Sequence, residues 1–95
     1  MSYVEEWVTA YEQEYGRKPS EESIRIAKHI DKVGDMLREH GQEDAQEGKQ
    51  VYPDRVFVEL AQRAFHNGLD EETAQIIGDL WKSDYMDGYQ EGSAT

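Results

Sequence analysis

Histidine and carboxylate side chains are the groups in this 95-residue chain that could do chemistry, since the sequence contains no cysteine. A histidine-based zinc site needs closely spaced ligands, such as His-x-x-x-His. His29 and His40 lie about three helical turns apart, and His66 has no histidine or glutamate companion at chelating spacing. His40 and His66 precede predicted helix ends, where a cation complements the helix dipole. The sequence therefore predicts no metal site and no other cofactor.

Carboxylates are abundant, but abundance alone does not indicate catalysis. General acid–base chemistry needs a carboxylate in an apolar pocket that raises its pKa. Every acid in the sequence lies at a predicted helix cap, in a predicted loop or on a predicted polar face. The glycines are dispersed and form no phosphate-binding loop, and no serine has a histidine and an acid suitably placed. The sequence predicts a protein that is not an enzyme and has no catalytic residues.

Charge is the strongest functional signal in the sequence. The chain has 21 acids and 10 bases, a formal net charge of -11, so nucleic acid and anionic membranes would repel it. The net charge is -4 in residues 1–16, +2 in 17–38, -4 in 39–54 and -6 in 70–95. This distribution favours a basic partner, such as the surface of a nucleic-acid-binding protein. The alternative is that the acids only keep the protein soluble.

Two groups of side chains are candidates for binding that partner. Asp84, Asp87 and Glu91 step by three and four residues, so they would share one face of a continuous helix and could imitate the anionic backbone of DNA. Tyr89 could act as an anchor, because tyrosine stacks on arginine. The first group comprises Glu71, Glu72, Asp79, Asp84, Asp87, Tyr89 and Glu91. The second group comprises Glu43, Asp44 and Glu47. The alternative interpretation is a solvated helix face with a frayed end.

Four amphipathic helices must position these residues. Apolar side chains recur at three- and four-residue steps, and cap residues, prolines and glycines mark the ends of each periodic segment. The predicted helices cover residues of about 2–15, 20–40, 53–67 and 70–87, with a loop over 41–52 and a tail over 89–95. Gly41 is expected to stop the second helix, and residues 42–50 form either a flexible loop or a frayed extension of that helix. Asp70 is expected to cap the fourth helix, whose buried face includes Ile76. Mostly short connections favour a single-domain all-α bundle.

Two glycines interrupt the predicted helices. Gly34 and Gly78 each cost roughly 1 kcal/mol of helix propensity relative to alanine. Close approach of a neighbouring helix would explain both glycines, and so would a binding surface that needs access to the backbone. We favour helix packing.

The leading hypothesis is a small interaction or inhibitor protein whose acidic face blocks a basic, nucleic-acid-binding partner. In size, acidity and helical content the chain resembles phage-encoded inhibitors of host defence, including the anti-CRISPR type, or of transcription, several of which imitate DNA. The alternative is a homo-oligomeric structural or adaptor protein, a homodimer in the simplest case, in which the basic second helix meets an acidic face of a neighbour. No secretory signal is present, and no apolar run approaches the roughly 18 residues of a membrane span, so we expect a cytoplasmic protein.

Overall fold

The protein is all-α. The structure, a computed structural model, describes residues 3–94, and these form four helices and no strand. The helices are α1 (Tyr3–Tyr15), α2 (Glu21–Gln46), α3 (Asp54–Ala64) and α4 (Glu71–Ser93). The predicted fold class and number of helices are confirmed. The predicted start of the first helix at residue 2 and the last residue of the predicted tail lie outside the described residues.

The chain divides into two compact units, and the boundary falls inside α2, between Val33 and Gly34. The N-terminal unit contains α1 and the first part of α2, and the C-terminal unit contains the rest of α2 with α3 and α4. Residues 34–95 hold 14 acids and 5 bases, whereas residues 1–33 hold 7 acids and 5 bases. The acidic excess therefore belongs mainly to the C-terminal unit.

Both α2 and α4 continue past their predicted ends. The prediction that Gly41 stops α2 is wrong, because α2 runs on to Gln46 and the left-handed Gly48, with φ of 73°, follows its end. Of the two interpretations of residues 42–50, an extension of α2 is correct as far as Gln46. The predicted tail is also wrong where the structure describes it, because α4 passes through Gly88 and Gly92 to Ser93. Packing between these helices outweighs the weak helix propensity of glycine.

α3 ends earlier than predicted, at Ala64 instead of residue 67. His66 and Asn67 adopt positive φ values of 56° and 61°, which cannot continue a right-handed helix. None of the described helices combines the length and apolar character that a bilayer-spanning segment requires.

Glycines allow α2 and α4 to approach closely. A Cβ atom at Gly88 would lie 2.9 Å from the Cα of Arg38, and one at Gly41 would lie 2.9 Å from the backbone nitrogen of Tyr89. A Cβ at Gly92 would similarly meet the other helix. No side chain fits at these positions without moving backbone, so the glycines set the separation of the two helices.

Gly34 and Gly78 are also packing positions. A Cβ atom at Gly34 would lie 3.2 Å from the carboxyl carbon of Asp84, and one at Gly78 would lie 3.0 Å from the backbone nitrogen of Val58. The prediction of close helix packing is confirmed at Gly78, where the obstructing atoms include backbone, whereas at Gly34 the nearest atoms belong to the Asp84 side chain. The core of the C-terminal unit is built around Phe57, Ala61, Ala74, Ile77, Trp81 and Tyr85.

Candidate partner-binding surface

The start of α4 concentrates negative charge at the end of the helix where the dipole favours it. Asp70 caps the helix, as predicted, and its carboxylate accepts a 2.8 Å hydrogen bond from the backbone N–H of Thr73. Hydrogen bonding from Thr73 holds the pKa of Asp70 below its usual value. Glu71 and Glu72 follow in the first turn, and both are exposed.

A row of exposed side chains, here called the α4 outer face, runs along α4 away from its buried side. Its members recur at steps of four, three, four and four residues, so they share one side of the helix. They are Glu72, Ile76, Asp79, Ser83 and Asp87. Ile76 is 62% exposed, and Asp79 accepts a 2.8 Å hydrogen bond from Gln75 one turn earlier. The surface therefore combines three carboxylates with one apolar side chain.

Two of the predicted partner-binding carboxylates lie instead against α2. Glu91 forms an ion pair with Arg38 and accepts a 2.5 Å hydrogen bond from Nε2 of Gln42. These hydrogen bonds, from Arg38 and then Gln42, lower the pKa of Glu91, and the same ion pair raises the pKa of Arg38. Asp84 is half-buried beside Gly34. Asp84, Asp87 and Glu91 thus do not form one open row of charges.

Tyr89 is half-buried, and its hydroxyl donates a 2.5 Å hydrogen bond to the backbone carbonyl of Lys49. The same contact ties the segment after α2 to α4. Lys49 also pairs with Glu47 at 2.9 Å, which raises the pKa of Lys49 through the hydrogen bond and the charge of Glu47. Among the second candidate group, Glu43 and Glu47 are exposed. The Tyr89 hydroxyl is therefore already hydrogen-bonded within the chain in this structure.

Asp44, the third member of that group, is not a surface residue. It is 2% exposed, and the fully buried Tyr85 donates a 2.7 Å hydrogen bond from its hydroxyl to Oδ2 of Asp44. Nε2 of His40 lies 3.5 Å from the same oxygen and 2.8 Å from the Tyr52 hydroxyl. The prediction that every acid lies at a cap, in a loop or on a polar face is wrong for Asp44. In this arrangement Asp44 cannot reach a partner.

His40, Asp44, Tyr52 and Tyr85 form a cluster that the sequence did not indicate, in which Asp44 and Tyr85 are buried and Tyr52 is exposed. Burial, followed by the hydrogen bond to Asp44, raises the pKa of Tyr85, so its hydroxyl stays protonated and donates at neutral pH. The rings of Tyr52 and Tyr85 stack with centroids 5.3 Å apart. A buried carboxylate is costly unless it is hydrogen-bonded or paired, and the Tyr85 hydroxyl supplies that hydrogen bond. His40 does not complement the end of a helix, because α2 continues for six further residues.

Between residues 3 and 94, no three histidine, aspartate or glutamate side chains are gathered in a way that could hold a metal ion. Comparison of the chain with protein families, with curated proteins and with solved structures found no match.

Proposed function

We propose that this protein binds a basic protein surface through the α4 outer face. The observation that best supports the proposal is an exposed isoleucine among carboxylates, with Glu72 one turn before Ile76 and Asp79 one turn after it. Within the described chain, Glu72, Asp79 and Asp87 make no ion pair. A surface that served solubility alone would gain nothing from an exposed isoleucine between two of its carboxylates.

The bases of the C-terminal unit do little to neutralise this face. Three of its five bases are already paired with other acids: Arg38 with Glu91, Lys49 with Glu47 and Lys82 with Asp54. Lys82 is the one base of α4, and its 2.6 Å contact is to α3. The remaining negative potential attracts a basic partner and raises the rate of encounter.

Ile76 and the carboxylates would have different roles in such an interface. Protein interfaces commonly have an apolar centre surrounded by polar and charged groups. Ile76 would provide the apolar contact, and the three carboxylates would select lysine and arginine side chains around it. Electrostatic selection of this kind affects specificity and association rate more than it affects total affinity.

We further propose that the bound surface otherwise contacts nucleic acid, so that binding inhibits the partner. In a straight helix, successive members of the set Glu72, Asp79 and Asp87 are about 10 to 12 Å apart along the helix axis. Each strand of duplex DNA has a phosphate about every 3.4 Å along the axis, so the α4 outer face offers fewer charges. Competition with DNA would then come from occupying the same basic residues, with Ile76 adding an apolar contact that phosphates lack.

A pair of charge-matched variants tests the proposal. The first carries Glu72→Gln, Asp79→Asn and Asp87→Asn on the α4 outer face. The control carries Glu22→Gln, Glu39→Gln and Glu59→Gln, which are exposed acids on α2 and α3. Each variant loses three negative charges, and each loses one glutamate from the first turn of a helix.

The tagged chains are used to capture proteins from a lysate of the source cells, with quantitative mass spectrometry at low and high salt. We expect basic, nucleic-acid-binding proteins to be captured by the wild type and the control, lost with the outer-face variant, and released by salt. An Ile76→Ser variant should reduce capture without changing charge. Purified partner should then lose its bound DNA when the protein is added. Equal capture by both charge variants, or the absence of basic proteins, would refute the proposal.

A further inference from the structure

The N-terminal unit leaves an aromatic face of α1 incompletely covered. Trp7, Tyr11 and Tyr15 follow one another at four-residue steps, with ring centroids 5.8 Å and 4.6 Å apart, and are here called the α1 aromatic stripe. Trp7 is 38% exposed and Tyr15 is 59% exposed. Three large aromatic side chains in a row on a surface helix mark a surface that gains from being covered.

The charges of the N-terminal unit are separated along the chain. α1 contains four acids and no base, whereas the segment 17–32 contains five bases, here called the basic segment. The bases are Arg17, Lys18, Arg25, Lys28 and Lys32. All five are exposed, and none of them makes an ion pair with another described residue. Glu12 and Glu14 of α1, at the level of the aromatic stripe, are likewise not in an ion pair with a described residue.

We propose that a second copy of this chain covers the α1 aromatic stripe with its own basic segment. A suitable occupant must combine apolar and basic side chains, because the stripe lies on an acidic helix. The basic segment contains both kinds of side chain, since Ile26, which is 42% exposed, directly follows Arg25 in α2. The proposal is independent of the function proposed for the α4 outer face.

In a dimer with two-fold symmetry, each copy covers the α1 aromatic stripe of the other. In an isologous dimer, the stripe of each copy meets the basic segment of the other, so every contact occurs twice. A dimer formed by two stripes facing each other would instead bring the acids of α1 against those of the other α1. Charge complementarity thus selects the contact between stripe and basic segment.

Sedimentation velocity with two charge-reversal variants of the full chain tests this arrangement. One variant carries Glu12→Lys and Glu14→Lys, and the other carries Lys28→Glu and Lys32→Glu. We expect the wild type to dimerise at micromolar concentrations and more weakly at high salt. Each variant alone should dimerise at least about tenfold more weakly, because symmetry repeats every reversed contact.

Restoration of the dimer is the decisive measurement. An equimolar mixture of the two variants, and a single chain with all four substitutions, should both regain the dimer, because each reversed base then faces a reversed acid. The four-substitution chain has the net charge of the wild type, so it controls for total charge. Tyr15→Ser should weaken the dimer without altering charge. A monomeric wild type, unchanged dimerisation of both variants, or failure of the four-substitution chain to dimerise would overturn the proposal.

Discussion

Replacing Gly88 with alanine tests the close crossing of α2 and α4. The new Cβ atom would lie 2.7 Å from the carbonyl carbon of Arg38 and 2.9 Å from its Cα, and would overlap the carbonyl oxygen. Ordinary van der Waals contact begins at 3.4 Å, so the helices would have to separate by at least about 0.7 Å. The obstructing atoms are backbone, so no side-chain rotation can relieve the overlap.

Two effects of the substitution oppose each other. Alanine improves helix propensity by about 1 kcal/mol relative to glycine. Overpacking of a closely packed site typically costs about 1 to 3 kcal/mol, and a contact with rigid backbone belongs at the upper end. We therefore expect the free energy of unfolding to fall by about 2 kcal/mol, which lowers Tm by roughly 10 °C in a chain of this size.

The measurement is urea unfolding followed by far-ultraviolet circular dichroism, with thermal unfolding as a second readout. Ser83→Ala is the matched control, because Ser83 is an exposed position of the same helix where alanine adds helix propensity without meeting α2. We expect the control to be slightly more stable than the wild type. If Gly88→Ala were as stable as the control, the close approach of α2 and α4 at this position would be wrong.

Two further predictions concern hydrogen bonds of the C-terminal unit. Tyr85→Phe keeps the buried ring but removes the hydroxyl that donates to Asp44. We expect the free energy of unfolding in urea to fall by about 1 to 3 kcal/mol. If it fell no more than in Tyr89→Phe, which removes a hydrogen bond at the half-buried Tyr89, the stability of buried Asp44 would not depend on Tyr85. Asp70→Ala should destabilise the protein near neutral pH, because the folded state lowers the pKa of Asp70. Its stabilisation is complete above the unfolded value of 3.8 and is lost as the pH falls through the folded value. The difference from the wild type should shrink in acid, while Asp70→Asn, which keeps a capping oxygen, should lack that pH dependence.

Local sequence signals predicted the helices better than their ends. Asp70 caps α4 because its side chain reaches a backbone N–H three residues away, and this contact needs no other part of the fold. Gly41 has the same local appearance as a helix stop, but α2 continues through it. The propensity of one residue changes stability by about 1 kcal/mol at most for ordinary residues, so packing against α4 can outweigh it.

The exposure of the candidate acids was predicted in part. Glu72, Asp79 and Asp87 are exposed, but Asp84 lies beside Gly34 of α2, and Glu91 contacts α2 from the part of α4 beyond the predicted helix end. Ile76 was predicted to be buried and is exposed instead. Periodicity assigns it to an apolar face, but only the position of neighbouring helices decides how much of that face is covered.

Asp44 is a second residue whose burial could not be predicted from the local sequence. It follows Leu37 and Gly41 at helical spacing, which would have placed it on the apolar face had α2 been predicted to reach it. A central loop left no reason to expect a buried carboxylate, and the hydroxyl that stabilises it comes from Tyr85, 41 residues away.

By itself, the sequence determined the all-α class, the four helices, the cap at Asp70 and the concentration of acid in the C-terminal unit, because these depend on side-chain periodicity, short-range hydrogen bonds and composition. Only the tertiary structure decided which glycines end helices and which pack between them, and which carboxylates are exposed. Those outcomes depend on contacts between residues that are far apart in the sequence, and local sequence patterns do not predict which of these residues come within a few ångströms of each other.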